Sequence, residues 1–202
     1  RNIMGRITCD GKGRPGDSGL SDASRIVVWG TSGSGRSAWA RRLGRSRGLK
    51  AIEREALHWK PGWRECPADE FRASILASIE GRKGYVIHGN YGKVRDLTWG
   101  NCDTMIWLDY PRHVVMYRVI KRTLKRIITK EALWNGNVET LRTSVFSRDS
   151  IILWSWYTYR RRRRQYQSLG NDDCHGIRRM IVIRHPRDAR YLTASIPTPR
   201  KP

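Results

Sequence analysis

The sequence predicts a three-layer α/β fold, with a mostly parallel five-stranded sheet covered by helices on both faces. Three observations predict it. Between residues 25 and 192, short apolar runs alternate with segments of helical periodicity, the pattern of strands joined by crossover helices. Several of these runs, such as Tyr85-Val-Ile-His88 and Thr104-Met-Ile-Trp-Leu108, are continuous rather than alternating, as strands buried on both faces read. The first run, Arg25-Ile-Val-Val-Trp29, leads directly into a glycine-rich loop that opens a helix.

Each element follows in order. Residues 1–24 are rich in Gly, Ser, Asp and Arg and lack hydrophobic periodicity, which predicts a disordered N-terminal arm. The first strand covers 25–29, and Ser37 to about Arg45 reads as a helix closed near Gly44 or Gly48. Leu49–Ile52 is a short second strand. Pro67 suits a first helical position, and Phe71, Ile75, Leu76 and Ile79 repeat at helical spacing before Gly81. Tyr85–His88 is the third strand, followed by the turn residues Gly89 and Asn90. Thr104–Leu108 is the fourth, ending at Asp109. Pro111 opens a long helix through about Ile127. Residues 129–139, with Asn135-Gly136-Asn137, break the pattern, and a second long helix covers much of 140–168. Met180–Ile183 is the fifth strand, and Arg187 to about Leu192 a last short helix. The domain therefore spans 25–194, and the proline-bearing tail 195–202 is expected to be flexible.

The chain of 202 residues is long enough for one domain with a proper core. Its 39% hydrophobic and 29% charged residues fit a soluble class. No stretch approaches the roughly 18–20 apolar residues that span a bilayer, and Arg1–Leu20 carries no apolar segment of leader type. No membrane role and an intracellular, cytoplasmic place are expected. Cys9, Cys66, Cys102 and Cys174 lack metal-finger spacing and are too few for a disulfide scaffold. The net charge of +22 admits three readings: basic tails with solvated helix faces, a nucleic-acid surface, or a site for polyanionic nucleotides.

The glycine-rich loop reads Gly30, Thr31, Ser32, Gly33, Ser34, Gly35, Arg36, Ser37. Glycines at these spacings let backbone N–H groups turn inward around phosphate oxygens. The helix that follows points its positive end at the same anion. Ser37 is then placed to ligate Mg²⁺ bridging the phosphates of ATP. A strand before and a helix after are the context that this phosphate loop demands. Its basic residue is Arg36 where such loops carry Lys, a planar fork in place of a compact point charge.

Further segments carry a resemblance. With Gly30–Leu43, the stretches Ala56-Leu-His-Trp-Lys-Pro-Gly-Trp63, Val86-Ile-His-Gly-Asn-Tyr91 and Asp103–Pro111, and the aromatic helix ending in Arg160–Arg164, the chain resembles the adenylate-kinase-like P-loop proteins. Within them it resembles the group labelled DNA topology modulation proteins. The resemblance covers about residues 25–192. It implies a nucleoside-monophosphate-kinase-like core with a five-stranded parallel sheet and a helical lid, here about 128–139. It implies that Ser37 holds Mg²⁺, that Arg118 lies against the adenine and that Arg122 reaches the transferring phosphate. It implies an acceptor near Gly89, Asn90 and Tyr91. Where the family has Asp after strand two and at the end of strand three, this chain has Glu55 and His88.

Several residues stay open on sequence alone. Asp109 reads either as a metal-holding carboxylate at a strand end or as a residue before a helix. Glu55 is a third metal candidate beside Ser37 and Asp109, or a surface carboxylate. His88 faces the site or makes a local hydrogen bond. Trp59 and Trp63 either stack on a ligand or pack beneath a loop. Arg160–Arg164 points around most of a helix, so one or two arginines could reach the nucleotide and the rest contact solvent or nucleic acid. The expected function is a Mg-ATP-dependent kinase for a nucleotide or small-molecule acceptor, with Arg36 and Arg122 acting on the phosphoryl group. The alternatives are a nucleotide-binding pseudokinase with a regulatory role and a nucleic-acid-associated P-loop protein.

Overall fold

The computed structural model describes residues 5–9, 20, 22–89, 92–138, 150–169 and 179–194. The elements in chain order are β1 (Gly5–Cys9), β2 (Arg25–Gly30), α1 (Arg36–Arg47), β3 (Lys50–Glu53), α2 (Arg54–His58), β4 (Trp59–Lys60), β5 (Arg64–Glu65), α3 (Ala68–Ile79), β6 (Tyr85–His88), α4 (Arg95–Gly100), β7 (Thr104–Leu108), α5 (Arg112–Thr129), α6 (Ile151–Leu169), β8 (Arg179–Ile183) and α7 (Pro186–Ala194).

The main sheet is parallel throughout, in the order β1-β8-β7-β2-β6-β3. Its continuous apolar strands feed two cores, because successive side chains point to opposite faces. On one face Ile26, Val28, Ile106 and Leu108 pack with Trp39 and Leu43 of α1, Val115 and Val119 of α5 and Tyr159 of α6. On the other, Val27, Trp29, Met105 and Trp107 pack with Phe71 and Ile75 of α3, Trp99 of α4 and Tyr166 of α6. All five expected strands are present, the second displaced by one residue to Lys50–Glu53.

The expected disordered arm is corrected. Gly5–Cys9 forms β1, paired in parallel with β8 from Gly5↔Arg179 to Cys9↔Ile183, so the sheet has a sixth strand. An edge strand needs only an open partner edge, which β8 supplies through its backbone, and that demand leaves little trace in composition. Leu20 and Ala23 are also buried in the first core.

The segment expected as a lid, about 128–139, is a turn over its described residues. In the described part of 128–139, α5 ends at Thr129, and Ala132 bridges Val138 around the turn Trp134–Gly136. Asn135 and Gly136 take φ of 55° and 76°, left-handed values that reverse the chain and preclude a helix. Residues 140–149, the tail 195–202, Asn90 and Tyr91 lie outside the described residues. Among those described, no helix is long and apolar enough to cross a membrane.

Candidate nucleotide site

The loop from Gly30 to Ser37 leaves the carboxyl end of β2 and enters α1 at Arg36, beside β7, where Gly30 is in register with Leu108. Gly33 has φ 83°, and a Cβ there would lie 2.5 Å from Val119 Cγ2 and 2.6 Å from the Val115 carbonyl oxygen. Only glycine lets the loop press so closely on α5. Gly35, at φ 85°, precedes α1 with no side-chain cap and no acidic residue in the first turn. The first amide groups of α1 therefore keep their donors and positive end for an external anion. Ser34 is buried and its Oγ has no partner. Ser37 stands in the first turn of the same helix.

Two arginines of α5 lean over the loop. Arg118 Nη1 donates to the Ser34 carbonyl oxygen at 3.4 Å, and its guanidinium lies 5.2 Å from the Tyr110 ring centroid. Arg122 Nη2 donates to Ser32 Oγ at 3.3 Å. Residues four apart share one helix face, so α5 presents both cations to the loop together.

Arg36 reaches the other way. Its Nη2 donates to Glu55 Oε1 at 3.4 Å. Glu55 belongs to α2, a short helix that sequence periodicity could not disclose because it holds only five residues. Beside it, His88 ends β6 in register with Glu53. Burial pushes the His88 pKa down to about 3, with Arg36, Arg54 and Arg41 acting in the same direction, so the imidazole is neutral at ordinary pH. Glu53, Glu55 and His88 thus form a group whose ligand atoms lie within 4.8 Å of one another. Glu53 was not singled out by sequence. The Glu-x-Glu spacing at the end of β3, in register with β6, is the signal that could have found it.

Arg54 was missed for a different reason. It is fully buried, where arginine is expected on the surface. Burial lowers its pKa to about 10, so it stays charged at neutral pH. It donates to the Gly89 carbonyl oxygen and lies 5.9 Å from the Trp29 ring. Gly89, the described member of the expected acceptor turn, has φ 125°, and a Cβ there would come within 2.8 Å of both Arg54 Cβ and Glu55 Oε2.

Asp109 is the clearest correction. Its carboxylate accepts two hydrogen bonds from Arg163, Nε at 2.7 Å and Nη2 at 3.0 Å, with Arg184 at 3.9 Å. Two guanidinium groups take the carboxylate, which lies outside the Glu53–Glu55–His88 group, so the metal-ligand reading is withdrawn. This contact also absorbs Arg163 from the arginine run. Arg162 stacks 4.3 Å from the Trp154 ring, while Arg160, Arg161 and Arg164 are exposed. The five arginines do not converge on the loop.

Trp59 and Trp63 pack against one another. Their ring centroids lie 5.6 Å apart, and Trp63 lies 6.3 Å from Trp134 of the turn after α5. The Trp63 backbone N–H donates to Asn137 Oδ1 at 2.9 Å, and Asn137 Nδ2 donates to the Lys60 carbonyl oxygen at 3.0 Å. The turn at 134–137 is thereby latched to the β4–β5 hairpin.

Known proteins share this architecture. A shikimate kinase from Acinetobacter baumannii, solved in complex with shikimate, superposes with a TM-score of 0.50 at 14% identity, over 90% of this chain and 94% of that one. The fold is that of the P-loop kinases. A shikimate kinase from Bacteroides thetaiotaomicron superposes with a TM-score of 0.51 at 12% identity, over 86% of this chain and 94% of that one. No family model matches the chain, and no curated protein matches it in sequence. At such identities the likeness to the shikimate kinases establishes the fold and leaves substrate to the site itself.

Proposed function

We propose that the chain is an ATP-dependent phosphotransferase acting on a nucleotide or a small hydroxylated acceptor. The observation that carries this reading is the pair Arg118 and Arg122 on α5, leaning over an uncapped helix start and its glycine loop. The glycine cradle and the unpartnered buried Ser34 Oγ fit a phosphate chain. Ser37 would hold the Mg²⁺ that accompanies the nucleotide, with Glu55 as the carboxylate offered from the acceptor side, and the ion would neutralise charge on the phosphates.

Backbone amides of the loop bind the phosphates, and Arg118, lying over the buried Tyr110 ring, offers its guanidinium plane to the adenine. Arg122 and Arg36 stabilise charge on the transferring group from two sides. Gly89, fixed by Arg54, positions the acceptor. Little covalent work falls to the protein: positioning and electrostatics supply the rate.

The second reading is a nucleotide-binding pseudokinase. It is favoured by the neutral His88 where the resemblance implies a carboxylate, and by the engagement of Arg36 with Glu55. Calorimetric titration with Mg-ATP, followed by an ATP-consumption screen over nucleoside monophosphates and hydroxylated acceptors, separates the two. Binding with consumption supports the phosphotransferase, and binding without consumption supports the pseudokinase.

A further inference from the structure

We propose that Glu53, Glu55 and His88 form a binding site for a divalent transition-metal ion, one that fills without nucleotide. The inference concerns the acceptor edge of the proposed phosphotransfer site but stands on its own geometry.

The three side chains come from adjacent strands and the helix that follows one of them. Glu53 ends β3, Glu55 lies in the first turn of α2, and His88 ends the neighbouring β6. His88 Nδ1 stands 3.9 Å from Glu55 Oε2. That separation is too long for a hydrogen bond. Two ligand atoms each about 2.1 Å from one ion stand at most ~4.2 Å apart, so a single ion can span it. His88 is 1% exposed, yet neither ring nitrogen has a partner, and Glu55 Oε2 beside it is also unpartnered. Buried polar atoms in this number are costly unless something binds them.

The remaining carboxylate oxygens are engaged by cations, Glu55 Oε1 by Arg36 and Glu53 Oε2 by Arg41, each at 3.4 Å. These arginines hold the carboxylates in place and leave one oxygen of each for an ion. Arg36, Arg41 and Arg54 together also repel a dication. An ion that gains strongly from an imidazole nitrogen overcomes this better than Mg²⁺, which prefers oxygen alone. The donor set therefore points to Mn²⁺, Co²⁺ or Zn²⁺.

The test titrates the intact protein with Co²⁺ without nucleotide, following heat and the visible absorption of the bound ion. One Co²⁺ per chain is expected, undisplaced by an equal concentration of Mg²⁺. Glu53→Gln and His88→Ala should each weaken binding by more than ~100-fold, beyond the roughly 10–100-fold that loss of an outer-shell partner costs. Glu53 lies at a strand end and is only partly buried, so its variant keeps the test valid if His88→Ala fails to fold. The absence of a one-to-one site, unchanged affinity in Glu53→Gln, or equal competition by Mg²⁺ would each overturn the proposal. A parallel Mg-ATP titration keeps the two readings apart: Mg-ATP binding without Co²⁺ binding removes this inference alone, and the reverse removes the nucleotide site.

Discussion

Arg36 and Glu55 face each other at 3.4 Å between the start of α1 and the first turn of α2. The basic residue that follows the glycine-rich loop is therefore held by a carboxylate of α2. His88 stands beyond the same carboxylate, so the three substituted positions act on one another. Changing Arg36→Lys and His88→Asp together should raise ATP turnover by more than either change alone, because groups acting on one metal–phosphate unit are not additive. Steady-state ATP consumption by the four proteins checks this, and simple additivity would count against a shared site.

Gly33→Ala should abolish nucleotide binding and lower stability by about 1–3 kcal/mol, since its Cβ would meet α5 at 2.5 Å from Val119 Cγ2. At Gly35 a Cβ meets only Arg118 Nη1, at 3.6 Å, but φ is 85°. Gly35→Val should therefore disturb binding through the strained backbone and the anion's space. Thermal unfolding and calorimetry on both variants separate these costs.

Arg122→Ala should lower turnover by ~10²–10³ with a smaller loss of Mg-ATP affinity, as expected for a group that acts on transition-state charge. Arg118→Ala, by contrast, should mainly weaken nucleotide binding. Kinetic constants for the two variants check the division, and equal effects on both constants would refute it.

His88 sets a pH dependence of stability. Its ordinary pKa is 6.5 and its folded value is lowered to about 3. Above 6.5 both folded and unfolded chains hold it neutral. As pH falls below 6.5 the unfolded chain takes up a proton that the folded chain refuses, so stability declines until about pH 3. Chemical denaturation from pH 7 to pH 4 should show a smaller loss in His88→Asn than in the parent.

Removing residues 1–9 should lower the melting temperature and expose the edge of β8, because β1 pairs along all five residues of that strand. An unchanged melting curve would show that the pairing contributes nothing.

Much of this molecule can be read from its residues, for physical reasons. Strands buried on both faces announce themselves, as Ile26-Val-Val-Trp29 does, because every position must be apolar. The glycine-rich loop between β2 and α1 is legible because glycine conformations are a local property, whereas Arg118 and Arg122 stood out only through the resemblance, not through their own spacing. What escaped depends on distant partners. β1 exists through the open edge of β8, Arg54 is buried through its contacts with Gly89 and Trp29, and Asp109 is claimed by Arg163, 54 positions away. The packing of Trp63 depends on Trp134 and Asn137, more than 70 positions away, which sequence could not place against it.

The central claim is that Mg-ATP sits on the Gly30–Ser37 loop beneath Arg118 and Arg122. Calorimetric titration of Mg-ATP into the parent protein and into Arg118→Ala tests it most directly. The account predicts one site per chain, with a dissociation constant below about 1 mM, weakened by ~10-fold or more in the variant, corresponding to at least one lost charge-assisted contact. No heat of binding in the parent, or equal affinity in the two proteins, would contradict it.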